Sequence, residues 1–201
     1  MSQSNFYRGV ERAAAALATA TGARPEVRAR AVHDALAPLL ATTARANDHA
    51  CRSGCSHCCH LPVGITFGEA VRLADAVRTS ARLVEHVAAA ATDTAMLPWR
   101  DLVGVPCPLL DHDACAVHDA RPLPCRSLAS TDAASCARGL AGTGHVAVDD
   151  ESYWLGLGAA DVLANAGPAA GTRELRAAVH AVLHARDDHA AAFLAARPAG
   201  A

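Results

Sequence analysis

Eight cysteines fall in two short stretches of this chain, and residues of this type at this spacing can form a metal–thiolate centre. They are Cys51, Cys55, Cys58, Cys59, Cys107, Cys115, Cys125 and Cys136. Thiolates that converge from loops, with turn residues between them, are the ligands that a soft metal ion or an iron–sulfur cluster requires. We therefore predict that all eight cysteines are ligands of zinc ions, iron ions or an iron–sulfur cluster.

The spacing within the first stretch leaves several kinds of centre open. Cys55 and Cys58 have the two-residue gap with which a tight turn directs two sulfurs at one ion, and Cys51 can join them. Cys59 follows Cys58 directly, so we expect their side chains to diverge and to serve different irons of a cluster or two neighbouring sites. Eight thiolates can form two four-thiolate sites, one four-thiolate cluster beside four other cysteines, or a polynuclear centre with bridging sulfur.

A centre built from several thiolates carries negative charge, which nearby cations can compensate. Four arginines lie close to cysteines in the sequence: Arg52, Arg121, Arg126 and Arg138. We expect Arg126 to lie next to the ligands and to help bind the cofactor. The alternative for each of the four is an ordinary surface position.

Several histidines and aspartates are weaker candidates for the same centre. Those next to cysteines are His57, His60, His112, His118, Asp111, Asp113 and Asp119. Because eight thiols are available, we expect these histidines to face solvent or to lie outside the ligand set, and the aspartates to be solvated. His180 and His184 form an i, i+4 pair that lacks the glutamate of an HExxH zinc motif, which favours a polar helix face.

Charge and composition argue against other classes of partner. The chain of 201 residues has a formal charge of −2, and its 18 basic side chains are all arginines that do not cluster with aromatic residues. This pattern argues against nucleic acid as a partner. Residues 1–17 lack the layout of a signal peptide, and the apolar stretches are too short and too interrupted to cross a membrane. We therefore expect a cytoplasmic protein without membrane association, in a compartment that disfavours stable disulfides.

Apolar periodicity predicts a mainly α fold, a helical bundle that supports an irregular, loop-built, cysteine-rich metal or cluster site. Helices are predicted over residues 6–21, 25–47, 67–87, 153–166 and 172–196, with minor strands over 61–65 and 145–148. Thr66 and Glu69 have the spacing of a capping box at the third helix. Between residues 96 and 151 the periodicity gives way to prolines and glycines.

We divide the chain into three parts within one structural domain. These are an N-terminal helical hairpin (1–50), a cysteine-cluster metal-binding part with a central helix (51–140), and C-terminal helices that pack on it (141–201). A proline- and glycine-rich stretch as long as residues 96–151 needs something other than periodic packing to fix it. The four cysteines in that stretch provide such a constraint if they bind metal.

The ordered cysteine motifs resemble those of the YkgJ-type cysteine-cluster family, whose CxxCxxCC domain is described as zinc- or iron-chelating. The first block of that family is similar to residues 51–59 and to the helix start at 67–69, and its second block is similar to residues 106–110 and 115–126. Cys136 matches the last cysteine of the family, and His118 stands where the family usually has tyrosine. The resemblance covers about residues 51–136 and implies that these cysteines bind zinc or iron.

Two other interpretations of the first cysteine block require a different fold. Cys51, Cys55 and Cys58 also spell the CxxxCxxC motif of radical S-adenosylmethionine enzymes, which belongs on a barrel of alternating strands and helices. Residues 55–58 spell a thioredoxin-like CxxC, which belongs next to a βαβ unit. The sequence shows neither alternation, so we set both interpretations aside.

Three functions of different classes fit the cysteine pattern. We favour a protein that binds metal ions in order to handle zinc or iron or to pass electrons, with a protein partner left open, because no acid–base constellation accompanies the cysteines. The second is a metal- or cluster-dependent enzyme with a methyltransferase-like or redox modification activity, since flagellin lysine N-methylases carry a similar cysteine block. The third is a structural zinc site that holds an interaction module.

Overall fold

The structure is a computed structural model of the chain and describes residues 2–52 and 54–200. These residues are mainly helical, which confirms the predicted fold class. The α-helices are α1 (Ser2–Thr19), α2 (Pro25–Ala46), α3 (Phe67–Val77), α4 (Ala81–Asp93), α5 (Leu123–Ser127), α6 (Ala133–Leu140), α7 (Asp150–Ala164), α8 (Leu175–His184) and α9 (His189–Ala195). The strands are β1 (Gly64–Ile65), β2 (Leu110–Asp111), β3 (Ala114–Cys115) and β4 (Arg173–Glu174). No helix in the described ranges is long and apolar enough to cross a membrane.

Two hydrophobic clusters hold the helices together. The first is formed mainly by α3, α4, α8 and α9, and Cys107 and Cys115 pack against it. The second lies between α1, α2 and α7 and includes Leu123, the first residue of α5. Helix α5 packs on α7, where a Cβ atom at Gly156 would overlap Ser127, so this close approach requires glycine. The cysteine-bearing segments therefore contact both clusters.

Two of the predicted helices are interrupted by new helix caps. The predicted helix over residues 67–87 is divided into α3 and α4, and the side chain of Ser80 caps α4 by accepting a hydrogen bond from the amide of Leu83. The predicted helix over residues 172–196 begins as strand β4 and continues as α8 and α9. Asp188 caps α9 by accepting from the amide of Ala191 at 2.9 Å. Serine and aspartate side chains compete with helix continuation by binding backbone amides, although the apolar periodicity runs through both breaks.

The predicted strands and the proline-rich stretch also differ in detail from the structure. Strand β1 lies within the predicted strand 61–65 and pairs with β4 in antiparallel fashion, with Gly64 opposite Glu174. Val148, at the end of the other predicted strand, forms an isolated bridge with Ser130. The stretch between residues 96 and 151 contains the β2–β3 hairpin and helices α5 and α6. Elements of two to eight residues carry too little periodic signal to be predicted from apolar spacing.

Candidate metal centre

The cysteines lie in irregular segments and in short elements. Cys51 and Cys55 follow α2, Cys58 and Cys59 lie in a 3₁₀ turn (His57–His60), Cys107 precedes β2, and Cys115, Cys125 and Cys136 lie in β3, α5 and α6. All eight are free thiols, of which Cys51 is exposed and the other seven are partly buried. Partial burial keeps a sulfur within reach of a metal ion while it reduces the screening of the thiolate charge by water.

Backbone hydrogen bonds join the two cysteine stretches. The amide of Cys107 donates to the carbonyl of Cys59 at 2.7 Å, and the amide of Gly104 donates to the carbonyl of His60 at 2.8 Å. These bonds place the loop before β2 directly beside the 3₁₀ turn that carries the vicinal cysteines. The two stretches, which are separated by α3 and α4 along the chain, therefore lie together in space.

A second contact joins the stretches near Cys51. The amide of Ala50 donates to the carbonyl of Ser130 at 2.8 Å, and the amide of Ser130 donates to the Sγ atom of Cys51 at 3.4 Å. Helix α6, which begins shortly after Ser130, packs on the 3₁₀ turn and brings Cys136 to this side of the cluster. The first stretch is thus attached to the second at two separate places.

Cys51 belongs to a group of thiols that influence one another electrostatically. Burial raises the pKa of Cys51, the hydrogen bond from Ser130 opposes this rise, and the negative charges of three other thiolates raise the pKa further. Those three are Cys55, Cys58 and Cys136. Mutual influence of this kind requires the sulfurs to be near one another, so these four thiols form one neighbourhood.

A second neighbourhood surrounds Cys125. Burial raises the pKa of Cys125 well above its ordinary value, and the charges of Cys107, Cys58 and Cys115 add to this effect. The pKa of Cys59 is raised mainly by its hydrogen bond with Cys58, then by burial, and also by the charges of Cys107 and Cys125. Cys58 therefore lies between the two neighbourhoods and contributes to both.

The vicinal pair is closer than the sequence suggested. The thiol of Cys59 donates a hydrogen bond to the sulfur of Cys58, and chiefly this bond lowers the pKa of Cys58 to about 6, against the effect of burial. The charges of Arg121 and His60 support the shift. The two side chains therefore lie near each other, which differs from the divergence that the sequence predicted. This interaction favours the thiolate form of Cys58.

The predicted arginines lie in different surroundings. Arg126 donates from Nε to the carbonyl of Arg121 at 2.6 Å and from Nη2 to the carbonyl of Asp119. These two hydrogen bonds stabilise the loop that follows β3. The charges of Arg121 and Arg126 both lower the pKa of Cys115, which burial raises. Arg138 pairs with Asp132 at 3.2 Å on the surface, and Arg52 is exposed. Arg121 and Arg126 are therefore the cations of this set that act on thiols.

A buried arginine that the sequence analysis missed supports Cys107. The side chain of Arg176 is 2% exposed and donates from Nη2 to the carbonyls of Val105 and Pro106, at 2.9 and 3.2 Å. Its Nη1 donates to Glu174 at 2.8 Å. Burial raises the pKa of Cys107 to about 11, and the charge of Arg176 opposes that rise. Arg176 lies far from every cysteine along the chain, so spacing alone gave no signal for it.

The buried carboxylate of Glu69 supports Cys125 in a comparable way. The predicted capping box is present, since Glu69 accepts from the amide of Thr66 at 3.0 Å. The same carboxylate contacts Nε2 of His33 at 3.0 Å and accepts from the amide of Leu123 at 2.6 Å. Leu123 begins α5, so Glu69 fixes the start of the helix that carries Cys125. Sequence signals found the cap but gave no indication of the partners on α2 and α5.

Arg72 extends this network to the loop beside the thiols. Its Nη1 lies 2.6 Å from Nδ1 of His33, and its Nη2 donates to the carbonyl of Asp119, which also accepts from Arg126. The network therefore connects α2, outside the cysteine region, with the loop that leads to Cys125. His33 is 2% exposed, so the link is formed in the interior of the protein.

The other predicted histidines and aspartates have partners of their own. Nδ1 of His60 lies 3.1 Å from the carbonyl of Ser56, and His112 and His118 are mostly exposed. Asp111 pairs with Arg82 at 2.6 Å, and Asp113 accepts from Ser56 at 2.8 Å, while the side chain of Asp119 is exposed. The rings of His180 and His184 lie 4.5 Å apart on α8. These contacts are those of surface and loop side chains.

A groove of about 460 Å³ opens beside Cys107. Its walls are one face of α4, with His86 and Asp93, and the segment Val105 to Pro108. The lining is mostly apolar, apart from these two side chains and Thr94. Cys107 thus lines a groove whose walls also include an imidazole and a carboxylate.

The thiols gather in one region without closing around one point. Within residues 2–52 and 54–200, no group of three or more Cys, His, Asp or Glu side chains is arranged to hold a metal ion. The donor chemistry fits zinc or iron, because eight soft sulfur donors lie near arginines that offset thiolate charge. Movement of side chains is needed to bring these donors onto a shared ion.

Comparison with known proteins agrees with this donor set. Residues 50–143, which include all eight cysteines, match the CxxCxxCC family, described as a "putative zinc- or iron-chelating domain". The central segment of the chain is thus similar to a CxxCxxCC domain. It spans a little under half of the chain, and helices α1, α2 and α7 to α9 lie outside it. No curated protein and no solved structure matches the chain.

We expect the stability of the protein to depend on the charge of Glu69 at acid pH. Burial alone would raise the pKa of Glu69, but its contacts with His33, Leu123 and Thr66 outweigh burial and lower it below the ordinary value of 4.5. The stabilisation is therefore present above that value and is lost as the pH falls through the folded-state pKa. Glu69→Gln should lose on the order of 2 kcal/mol of unfolding free energy at pH 7 and show a flatter decline in acid.

Denaturant unfolding between pH 3 and 7, monitored by circular dichroism, measures both effects. Glu85→Gln is the matched control, because Glu85 is exposed on α4. Equal acid dependence of the Glu69→Gln variant and the unaltered protein would contradict this prediction.

Cys58 should be the thiol that reacts first in metal-free, reduced protein. With a pKa of about 6, Cys58 remains a thiolate when most thiols are protonated. Cys59→Ala removes the hydrogen-bond donor, so alkylation of Cys58 by iodoacetamide at pH 7 should slow by on the order of tenfold. Peptide mass spectrometry gives the rate at each cysteine. Cys107→Ala serves as the control, and an unchanged rate in Cys59→Ala would show that the vicinal hydrogen bond is unimportant.

Proposed function

We propose that this protein binds zinc or iron through its eight thiolates and serves in metal handling or electron transfer. The observation that supports this most directly is the hydrogen bonding of Cys107 to Cys59 and of Ser130 to Cys51, which places two distant cysteine stretches side by side. The CxxCxxCC match supports metal binding in general. The choice of zinc or iron and the role in the cell are our inference.

The electrostatic neighbourhoods suggest how the ligands are divided. One proposed set is Cys51, Cys55, Cys58 and Cys136, and the other is Cys59, Cys107, Cys115 and Cys125. Cys58 also influences the second set and contacts Cys59. This arrangement favours two adjacent four-thiolate sites or one polynuclear centre over a single cluster with four unrelated cysteines.

The surroundings of the thiols suit a centre of net negative charge. A divalent zinc ion with four thiolates, or an oxidised four-iron cluster with the same ligands, has a charge of about −2. Arg121, Arg126 and Arg176 each lower the pKa of at least one thiol, so each favours the thiolate form. Zinc bound here would close the loops into one unit, and an iron–sulfur cluster would add one-electron transfer.

The open arrangement of the sulfurs implies that metal binding and folding are coupled. Since no three of the described donor side chains form a ready-made site, the cysteine side chains must turn toward the ion as it binds. The parts that would move are the cysteine side chains and the loop that carries Cys55, because the 3₁₀ turn and the loop of Cys107 are bonded to each other. The α-helices on either side would move less because they are packed in the hydrophobic clusters.

Protein purified anaerobically should therefore contain zinc or iron in at least stoichiometric amount, and removal of the metal should lower the melting temperature. Elemental analysis, visible absorption and acid-labile sulfide distinguish a cluster, which is brown, from zinc, which is colourless. Cys136→Ser and Cys125→Ser should each remove part of the metal, whereas His112→Ala, an exposed control, should remove none.

Two results would contradict the proposed function. The first is protein that holds no metal after anaerobic purification and after reconstitution with zinc, or with iron and sulfide. The second is protein whose melting temperature is the same with and without bound metal, since that would separate the thiols from folding.

A metal-dependent enzyme is the second candidate, and the groove beside Cys107 favours it. The groove places His86 and Asp93 across from a thiol of the domain, and its volume of about 460 Å³ is within the range of small-molecule sites. A substrate in this groove would lie next to a metal ion bound at Cys107. The methyltransferase-like form of this hypothesis requires the protein to bind S-adenosylmethionine.

Isothermal titration of metal-loaded protein with S-adenosylmethionine tests the second candidate. The enzyme hypothesis predicts saturable binding that is lost in Ala90→Trp, because a large ring at this position fills the groove. Glu85→Trp, at an exposed position on the same helix, is the matched control. Absence of binding to the unaltered protein would eliminate the methyltransferase form, and binding that survives Ala90→Trp would place the ligand elsewhere.

A further inference from the structure

The beginning of α8 is attached to the segment that follows the first cysteine stretch. The amide of Leu175 donates to the carbonyl of Val63 at 2.9 Å, and Gly64 of β1 lies opposite Glu174 of β4. Val63 and Gly64 follow closely after Cys59 in the chain. The position of the vicinal cysteines is therefore tied to the start of a helix outside the CxxCxxCC domain.

The same helix start is attached to the second cysteine stretch through Arg176. Its Nη2 donates to two consecutive carbonyls, those of Val105 and Pro106, and the next residue is Cys107. Arginine presents several N–H groups in a rigid plane, so one guanidinium can fix the direction of two neighbouring peptide groups. Because the peptide groups before Cys107 are held in place, the position of the Cα atom of Cys107, from which its side chain extends, is also held.

Burial makes the orientation of Arg176 rigid. The side chain of Arg176 is 2% exposed, and that of its partner Glu174 is 0% exposed, with 2.8 Å between Nη1 and Oε1. Glu174 is itself held by the amide of Ala177, which donates to its other oxygen at 3.0 Å. A buried ion pair of this kind costs desolvation energy, which the hydrogen bonds of Nη1 and Nη2 offset, while Nε has no partner among the described residues. The guanidinium therefore has little freedom to turn away from the loop of Cys107.

We propose that Arg176 is a positioning residue for Cys107, and that it sets the spacing between the two cysteine stretches for metal binding. The inference rests on the proposed function for its metal-binding aspect. Leu175 and β4 hold the stretch of Cys59, Arg176 holds the stretch of Cys107, and the two anchors are adjacent in the chain. The C-terminal helices are consequently part of the construction of the metal centre, although they lie outside the family match.

Arg197 provides a matched control within the same ionic network. Its Nη2 lies 3.6 Å from Oε2 of Glu174, and its Nη1 donates to the carbonyls of Thr94 and Leu97 at 3.2 and 2.6 Å. Arg197 thus resembles Arg176 because each lies near Glu174 and each donates hydrogen bonds to two backbone carbonyls. The carbonyls that it holds follow α4 and do not adjoin a cysteine in the sequence.

The first experiment measures the Zn²⁺ affinity of reduced protein by competition with a fluorescent chelator. Arg176→Met should lower the affinity roughly 10- to 100-fold, which is the usual effect of losing a group that orients a metal ligand. Arg197→Met should leave the affinity close to that of the unaltered protein, even where it lowers stability. Arg176→Lys, which keeps the charge but lacks the planar fork, should fall between Arg176→Met and the unaltered protein.

The second experiment needs no metal and measures amide hydrogen exchange in the metal-free protein. Arg176→Met should increase exchange at the amides of Gly104 and Cys107, which bond to the first cysteine stretch, and should leave α1 and α7 unchanged. Arg197→Met should increase exchange after α4 instead. If Arg176→Met does not fold, Arg176→Lys is used for the same comparison.

The outcomes separate this proposal from the proposed function. If Zn²⁺ binds but Arg176→Met and Arg197→Met have equal affinities, the positioning role is wrong while metal binding stands. If the unaltered protein does not bind Zn²⁺, the zinc form of the proposed function fails, and the exchange pattern alone decides whether Arg176 holds the loop. Uniform exchange changes across the molecule would mean that Arg176 stabilises the fold in general and would overturn the proposal.

Discussion

The arrangement of the thiols depends on the backbone hydrogen bond from Cys107 to Cys59, which is 2.7 Å long. It closes a loop that contains all of α3 and α4, and closing a loop of that length reduces the entropy of the chain. The loop is held because α3 and α4 pack with α8 and α9 in one hydrophobic cluster, against which Cys107 itself lies. Helix packing therefore stabilises a contact between two segments that have little regular structure of their own.

Two buried carboxylates fix segments that carry cysteines of the second stretch. Glu69 caps α3 and also binds the amide of Leu123 at the start of α5, while Glu174 caps α8 and orients Arg176 toward the loop of Cys107. Each carboxylate connects a helix that is held by hydrophobic packing to a short segment that packing alone does not hold. Glu69 connects α3 to the start of α5, and Glu174 connects α8, through Arg176, to the loop of Cys107. Much of the apolar content of this protein is alanine, which buries little area and packs with little specificity. Directional hydrogen bonds of this kind therefore fix the positions of segments that alanine packing does not fix.

The sequence predicted the features that depend on neighbouring residues, and it missed those that depend on distant ones. The similarity to the CxxCxxCC domain, the mainly α fold and the capping box of Glu69 were predicted from short-range spacing. The partners of Arg176 and of His33 lie on other elements, and a single sequence does not show which elements meet. The breaks after α3 and between α8 and α9 were missed because one capping side chain outweighed a continuous apolar pattern.

The division of the interior into two clusters means that Cys125 and Cys107 can be exposed by separate local openings. Leu123, two positions before Cys125, belongs to the cluster of α1, α2 and α7, whereas Cys107 and Cys115 lie against the other cluster. Parts of a protein with separate packing can open independently. Local opening of the cluster of α1, α2 and α7 would expose Cys125 to an oxidant while Cys107 stays covered, and opening of the other cluster would do the reverse.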